Sequence, residues 1–181
     1  MNKKLIISLL AISTFLVGCG ADATPVKKPE VNVGIPDDCT SAKILAALPS
    51  SIPDPKFIDT KWQPAQGTDL FNALNSGGIA CSYGNQQAEI GTTIIWAPSD
   101  KANFDQMATK WSSLSQIDIP GVNETSAYWS GNEATSADDR HMWLINLLYK
   151  NIWIQVNASF VYKMEDALPI INAAIGSLTN G

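Results

Sequence analysis

The stretch 141–160, HMWLINLLYKNIWIQVNASF, is the most regular part of the chain and decides the fold. It contains two apolar runs that meet at Lys150-Asn151, and asparagine tolerates the positive φ that a two-residue turn requires. A turn of even length fixes which side chains share a face, because Cβ direction alternates along each strand. The resulting register predicts a wholly apolar core face, made of four cross-strand pairs: Tyr149 with Ile152, Leu147 with Ile154, Ile145 with Val156, and Trp143 with Ala158.

The opposite face of this hairpin mixes apolar side chains with amides and hydroxyls. On it, Trp153 lies beside Gln155, Asn146 and Asn157. An aromatic ring with convergent amides suits a polar, uncharged ligand, so these four residues form a candidate ligand-facing surface. A helix packed over the same face would instead make them part of a second core, and the sequence favours this second interpretation.

Helices are predicted on both sides of the hairpin, from apolar side chains at helical spacing. Pro169 is acceptable in the last helix only if it lies in the first turn, where amide groups lack intrahelical partners. Three amphipathic helices result: one with Ile44, Leu45 and Leu48 before Pro49, one with the stripe Phe104, Met107, Ala108, Trp111 and Leu114, and one over Met164 to Leu178 with the stripe Leu168, Ile171, Ile175 and Leu178.

Three further strands complete the predicted elements, together with a short helical turn after Thr68. Runs of adjacent strands joined by short turns indicate an antiparallel sheet. The chain therefore predicts an α+β fold, with an antiparallel sheet of about five strands packed against the three helices. Besides the hairpin, the strands are Ile79–Tyr83, Ala88–Trp96 (after a turn at Gly84-Asn85) and Ser126–Ser130.

The N-terminal residues predict export and lipid attachment. Lys3 and Lys4 precede an apolar run typical of a secretory signal and too short to cross a bilayer as a permanent helix. Leu16-Val17-Gly18-Cys19 then resembles the bacterial lipobox, whose cysteine carries diacylglycerol and becomes the first mature residue. We expect a signal peptide over residues 1–18, a lipidated cysteine and flexible tether over 19–36, and a single domain over 37–181. The domain would be extracytoplasmic, on the cell membrane or, in a two-membraned cell, on the outer membrane.

Charge and cysteine content agree with this location. Removing residues 1–18 leaves 163 of 181 residues and changes the formal net charge from −5 to −7, since Lys3 and Lys4 are lost. An acidic chain does not suit nucleic acid or anionic lipid, so acyl chains must supply the membrane attachment. Once Cys19 is lipidated, Cys39 and Cys81 remain, and two thiols in an oxidising compartment indicate one disulfide. A pair of buried free thiols is the alternative.

The order of elements resembles the PsbP-like α/β sandwich shared by actinobacterial surface lipoproteins, over roughly Asp38 to Leu178. The resemblance implies a helix-to-strand disulfide, here Cys39–Cys81, and implies no particular activity, because the fold recurs with unrelated roles. Its carriers are Cys39 opening the first helix, Cys81-Ser82-Tyr83 on the first strand, Ile94-Ile95-Trp96-Ala97-Pro98 closing the second, and the apolar C-terminal helix.

Residues that could carry chemistry are few. His141 is the single histidine, so any Ser-His-Asp or Cys-His machinery would need it. The cluster Asp138-Asp139-Arg140-His141 suits acid–base work or a weak cation site, but it also suits a solvated loop, which we favour. No sequence pattern predicts a metal site or a nucleotide cofactor. Glycoside hydrolysis needs only two carboxylates, and nothing in the sequence marks a pair among Glu89, Glu124, Glu133 and Glu165.

Six tryptophans raise the question of sugar binding, because indole rings stack on pyranose rings. Trp96, Trp111 and Trp143 fall at positions expected to face the core. The positions of Trp62, Trp129 and Trp153 do not decide between core and surface.

These observations predict a non-catalytic binding or protein-interaction module of the cell envelope, held at the membrane by its lipid. Its partner would be another envelope protein or a polar, uncharged ligand, with no cofactor, metal or nucleic acid. Two alternatives stay open: an accessory or structural envelope subunit without a small-molecule site, and a hydrolase of envelope polymers.

Overall fold

A computed structural model describes residues 33–111, 114–122, 126–130 and 143–180. Within these ranges the chain forms four α-helices, a seven-stranded sheet and a two-stranded ribbon, a mixed α+β fold as predicted. A 3-10 turn, Thr109–Trp111, extends the third helix. In chain order the elements are β1 Val33–Gly34, α1 Ala42–Ala47, β2 Lys56–Ile58, α2 Asp69–Asn75, β3 Ile79–Asn85, β4 Ile90–Pro98, α3 Lys101–Ala108, β5 Ser115–Ile117, β6 Ser126–Ser130, β7 Trp143–Tyr149, β8 Ile152–Ala158, α4 Met164–Gly176 and β9 Thr179–Asn180.

The predicted hairpin lies in the middle of the large sheet, as β7 and β8. The strand order is β2-β3-β4-β8-β7-β6-β5, and all neighbours are antiparallel. All four predicted cross-strand pairs are present, which confirms the register. Lys150 and Asn151 have φ of 46° and 63°, the left-handed conformation that a tight two-residue turn demands.

Helices cover both faces of the sheet and create two cores. The first core contains the apolar face of the hairpin together with α1 and α4, and the indole Nε1 of Trp96 donates to the carbonyl oxygen of Ala174 at 3.0 Å. The second core lies on the mixed face. There Phe104 of α3 packs with Trp111 and Trp153, and apolar side chains of α2 join them. The predicted stripe of α3 contributes all five of its side chains to this second core, although the α-helix itself ends at Ala108.

The structure corrects several element boundaries. Strands β2 and β5 extend the sheet beyond the five expected strands, and the helical turn after Thr68 is a fourth helix, α2. The turn between β3 and β4 lies at 86–89 rather than at Gly84-Asn85, because both residues stay paired, with Gly91 and Ile90. Glu89 supplies a positive φ of 53° there.

The C-terminal helix also differs from expectation. Pro169 is the sixth residue of α4, beyond the first turn. It removes one intrahelical hydrogen bond, and the helix continues because its buried side packs on the first core. That side is centred on Ala167, Ile170, Ile171 and Ala174, whereas the predicted stripe residues Leu168, Ile175 and Leu178 are only partly buried.

Two connections hold the ends of the domain in place. The disulfide Cys39–Cys81 is present, with a Cα–Cα distance of 5.4 Å, and it joins the segment before α1 to β3. Strand β1 pairs with β9, and the Thr179 hydroxyl donates to the Ile35 carbonyl oxygen at 3.2 Å. The described domain therefore begins at Val33, inside the segment predicted as tether. The predicted signal peptide and Cys19 lie outside the described residues.

None of the helices in the described part of the chain has both the length and the apolar character needed to span a membrane.

Candidate functional site

Three of the four residues predicted to face a ligand lie in the second core. Asn146, Trp153 and Gln155 are 0%, 2% and 7% exposed, because α2 and α3 cover this part of the sheet. The Asn146 Oδ1 accepts from Trp153 Nε1 at 3.0 Å and from Gln155 Nε2 at 2.9 Å. The predicted cluster therefore exists, but as a covered group rather than an open cleft, which matches the interpretation that the sequence favoured.

Asp69, at the start of α2, connects this group to the helices. Its Oδ2 accepts from Gln155 Nε2 at 3.2 Å and from Trp111 Nε1 at 3.0 Å. Thr68 caps α2 by accepting from the Phe71 amide at 3.2 Å, which fixes where Asp69 stands. These bonds fasten α2 and the 3-10 turn to the sheet, so their role is structural.

The fourth predicted residue, Asn157, lies in a different setting. The second core reaches the cross-strand row of Ala80, Ile95 and Gln155. One step further along the strands, Ser82, Thr93 and Asn157 form the next row on the same face, and these side chains line an open cavity of about 520 Å³. We call this cavity the polar groove, lined chiefly by Ser82, Asn85, Gln86, Thr93, Asn157 and Ser159.

Two facing glycines lie beside one end of the groove. Gly84 and Gly91 face each other across β3 and β4, where no side chain rises from the sheet. Gly84 has φ +145°, and a Cβ there would collide with the Ile90 carbonyl oxygen. Ser159 bridges to the same place, accepting from the Gly91 amide at 3.0 Å and donating to the Gly91 carbonyl at 3.2 Å. Glycine is therefore required for this close packing of the groove floor.

The groove presents hydroxyl and amide groups with hydrogen-bonding capacity to spare. The hydroxyls of Ser82 and Thr93 lie 3.0 Å apart and share one hydrogen bond, although each can form more. The Oδ1 of Asn157 is buried and has no hydrogen-bond partner. Among the described lining residues, Glu89 is the one with a formal charge. The arrangement can bind neutral polar groups.

Sequence reasoning did not identify Ser82 and Thr93 as site residues. Their pairing depends on the β3–β4 register, and a turn at Gly84-Asn85 does not place them opposite each other. β3 reads IACSYGN and β4 reads IGTTIIWAP. Neither alternates strictly between polar and apolar residues, so the sequence carried no clear signal for this pair.

Of the other candidate residues, the structure describes Glu89 and Glu165, and these two lie apart. His141 and the cluster Asp138-Asp139-Arg140 lie outside the described residues, as do Glu124 and Glu133. Glu89 is at the groove, whereas Glu165 is in the first turn of α4, on the other side of the sheet. No group of three or more His, Cys, Asp or Glu side chains suited to a metal ion occurs in the described ranges.

The six tryptophans differ in how deeply they are buried. Trp96, Trp111 and Trp143 are buried, which confirms the three core assignments. Trp129 is half-buried and packs on Trp143, with ring centroids 4.1 Å apart. The Trp62 Nε1 donates to the Ala80 carbonyl oxygen at 2.8 Å, beyond the end of the edge strand β2. All these contacts are structural.

Tyr83, on the first-core face of β3, carries an unusual phenol. Its side chain is 1% exposed, and its hydroxyl has no hydrogen-bond partner. Burial, and then the negative charge of Asp38, raise the pKa of Tyr83 to about 12. The pKa of Asp38 is itself lowered by hydrogen bonds from the Thr40 hydroxyl and amide.

Comparisons of the chain with protein-family models, with curated proteins and with solved structures find no match.

Proposed function

We propose that this chain is a lipoprotein anchored at the extracytoplasmic face of a bacterial membrane through Cys19. Its domain, a PsbP-like α/β sandwich, serves as a non-catalytic binding or interaction module of the cell envelope. The lipobox supports the anchor, and the Cys39–Cys81 disulfide supports an oxidising compartment.

The observation that carries the binding role is the open polar groove beside a covered core. Helices α2 and α3 bury the mixed face as far as the row of Ala80, Ile95 and Gln155, and the next row lines the groove. A cavity of about 520 Å³ is within the size range of small-molecule sites, about 300–1,000 Å³. Its hydroxyls and amides suit recognition of a polar ligand.

The anchor is tested by mass spectrometry of the native protein extracted from membranes. We expect the mature chain to begin at Cys19 with acyl mass on that residue, and a Cys19→Ala variant to lose that mass. A native N-terminus upstream of Cys19, or an unmodified Cys19, contradicts the anchor.

The binding role is tested by site-specific photo-crosslinking in intact cells. A crosslinking residue at Gln86, an exposed residue at the groove, samples it while Ser82, Thr93 and Asn157 stay intact. The same crosslinking residue at Glu165, on α4, is the matched control. We expect a product of defined mass from the Gln86 position that the Glu165 position does not give. The same products from both positions, or none from either, would refute a binding role for the groove.

A second candidate function is an accessory or structural subunit of an envelope assembly. The covered group of Asn146, Gln155 and Trp153 favours it, since the most ligand-like cluster in the sequence serves to hold helices on the sheet. This alternative predicts stable co-purification with one envelope complex that survives Thr93→Lys, a substitution that would obstruct the groove.

A further inference from the structure

We infer that the polar groove binds a neutral saccharide; the inference rests on the proposed binding function and specifies its ligand. A sugar hydroxyl both donates and accepts hydrogen bonds, so it needs partners that do the same. Ser82 and Thr93 offer hydroxyls, and Asn157 offers an amide with both kinds of group. These three side chains lie on adjacent strands, so the row spans about 10 Å, two interstrand spacings, and suits a short oligosaccharide.

The unpartnered oxygen of Asn157 points to a missing donor. A buried carbonyl oxygen without a hydrogen bond costs free energy, and native structures satisfy nearly all such groups. The residue is half-buried and lines the groove, and its Oδ1 lies beneath the groove surface. A ligand hydroxyl would supply the donor once the Asn157 amide turns toward the cavity.

The charges at the groove argue against an anionic ligand. Glu89 is negative, and neither lysine nor arginine occurs among the described residues that line the groove. Recognition of phosphate or carboxylate relies on such cations, and the acidic balance of the chain also repels anions. Ile58, which lies opposite Ser82 on β2, adds an apolar contact that suits the C–H face of a pyranose ring.

A peptide strand is a poorer fit for this place. Peptides that extend a sheet need a free strand edge. The groove lies over β3, β4 and β8, each of which is paired on both sides. Its exposed groups are therefore side chains on a sheet face, not backbone amides at an edge.

The test is a calorimetric titration of the mature lipidated chain in a zwitterionic, sugar-free detergent. The probes are trisaccharides of glucose, mannose, galactose and N-acetylglucosamine, with a galacturonic acid trisaccharide as the charged comparison. We expect at least one neutral trisaccharide to bind, and the acidic one not to bind.

Groove variants then locate the site. Ser82→Ala and Thr93→Val each remove one hydroxyl, and each should weaken binding roughly threefold to tenfold. Ser130→Ala is the matched control, because Ser130 lies on the same cross-strand row and Leu144 separates it from Asn157. Its affinity should stay within about twofold of the parent's. Unchanged unfolding midpoints show that the variants are folded.

Two results would overturn the inference: no binding of any neutral trisaccharide, or binding that Ser82→Ala and Thr93→Val leave unchanged. If no saccharide binds while the crosslink at Gln86 captures an envelope protein, the saccharide inference fails and the proposed function stands. If both experiments are negative, both fail.

Discussion

Replacing Tyr83 with phenylalanine should stabilise the protein, and the gain should grow in alkaline solution. Near pH 7 the substitution removes a hydroxyl that is buried without a hydrogen-bond partner, so we expect the free energy of unfolding to rise by about 1 kcal/mol. This is the opposite of the usual result, since most substitutions at buried sites destabilise.

The pH dependence follows from the pKa of the phenol. Burial raises the pKa of Tyr83 to about 12 in the folded protein, against 10.0 in the unfolded chain. The unfolded chain therefore releases the proton first, and stability is lost as the pH rises from about 10 to about 12. At pH 11 the loss amounts to about 1.4 kcal/mol, and Tyr83→Phe should be spared this loss.

Urea denaturation followed by tryptophan fluorescence at pH 7, 9, 10 and 11 measures both effects. Tyr162→Phe is the control, because Tyr162 is exposed and the variant retains Tyr83. It should lose stability with pH as the parent does. Parallel curves for the parent and Tyr83→Phe between pH 9 and 11 would show that the phenol is not held in a buried, protonated state.

Three further predictions concern the framework, and denaturant unfolding at neutral pH measures each. Replacing both bridged cysteines with alanine should lower the free energy of unfolding by roughly 4 kcal/mol, because the disulfide closes a loop at a sequence separation of 42. A reductant should have no further effect on this variant. A loss near zero would contradict the structural role of the disulfide. Asp69→Ala removes the acceptor of two side-chain donors and should lower the free energy of unfolding by about 1–3 kcal/mol. Asp105→Ala breaks only an exposed ion pair and should cost less than about 1 kcal/mol. Equal losses would refute the fastening role of Asp69. Gly84→Ala forces a Cβ into the neighbouring backbone and should lower the free energy of unfolding by about 3 kcal/mol. Gly176→Ala places its Cβ in open space and should leave stability nearly unchanged. A neutral Gly84→Ala would mean that the backbone at the groove floor can move to accept the Cβ.

The central hairpin could be predicted from sequence because its pattern and its turn agree. Alternation fixes two faces, and Lys150-Asn151 fixes the register, so all four pairs and the core face are present. The core positions of Trp96 and Trp111 followed from periodicity in the same way. Local patterns of this kind predict the structure well because the same residues bury a continuous apolar surface in the fold.

Elements that depend on distant neighbours could not be predicted. Strand β2 has three residues in a proline-rich segment, and it is a strand only because β3 offers a partner. Strand β5 follows the periodic stripe of α3 so closely that Leu114 continues the helical pattern after the helix has ended. Short strands of this kind carry little periodicity of their own.

The polar groove could not be predicted either, because its position depends on contacts between distant parts of the chain. Asn157 was recognised on the mixed face, but the sequence could not separate the covered half of that face from the open half. The difference depends on how far α2 and α3 reach across the sheet, which is set by the contacts of Asp69 and the second core.

The disulfide has a mechanical consequence. Any pull on the chain ahead of Cys39 passes through the two sulfur atoms to Cys81, and so reaches β3 next to Ser82. The forty-one residues between the cysteines are bypassed, and tension cannot unravel α1, β2 or α2 from the N-terminal side. A load applied to the N-terminal segment would thus enter the sheet through one covalent bond at β3, which β2 and β4 flank.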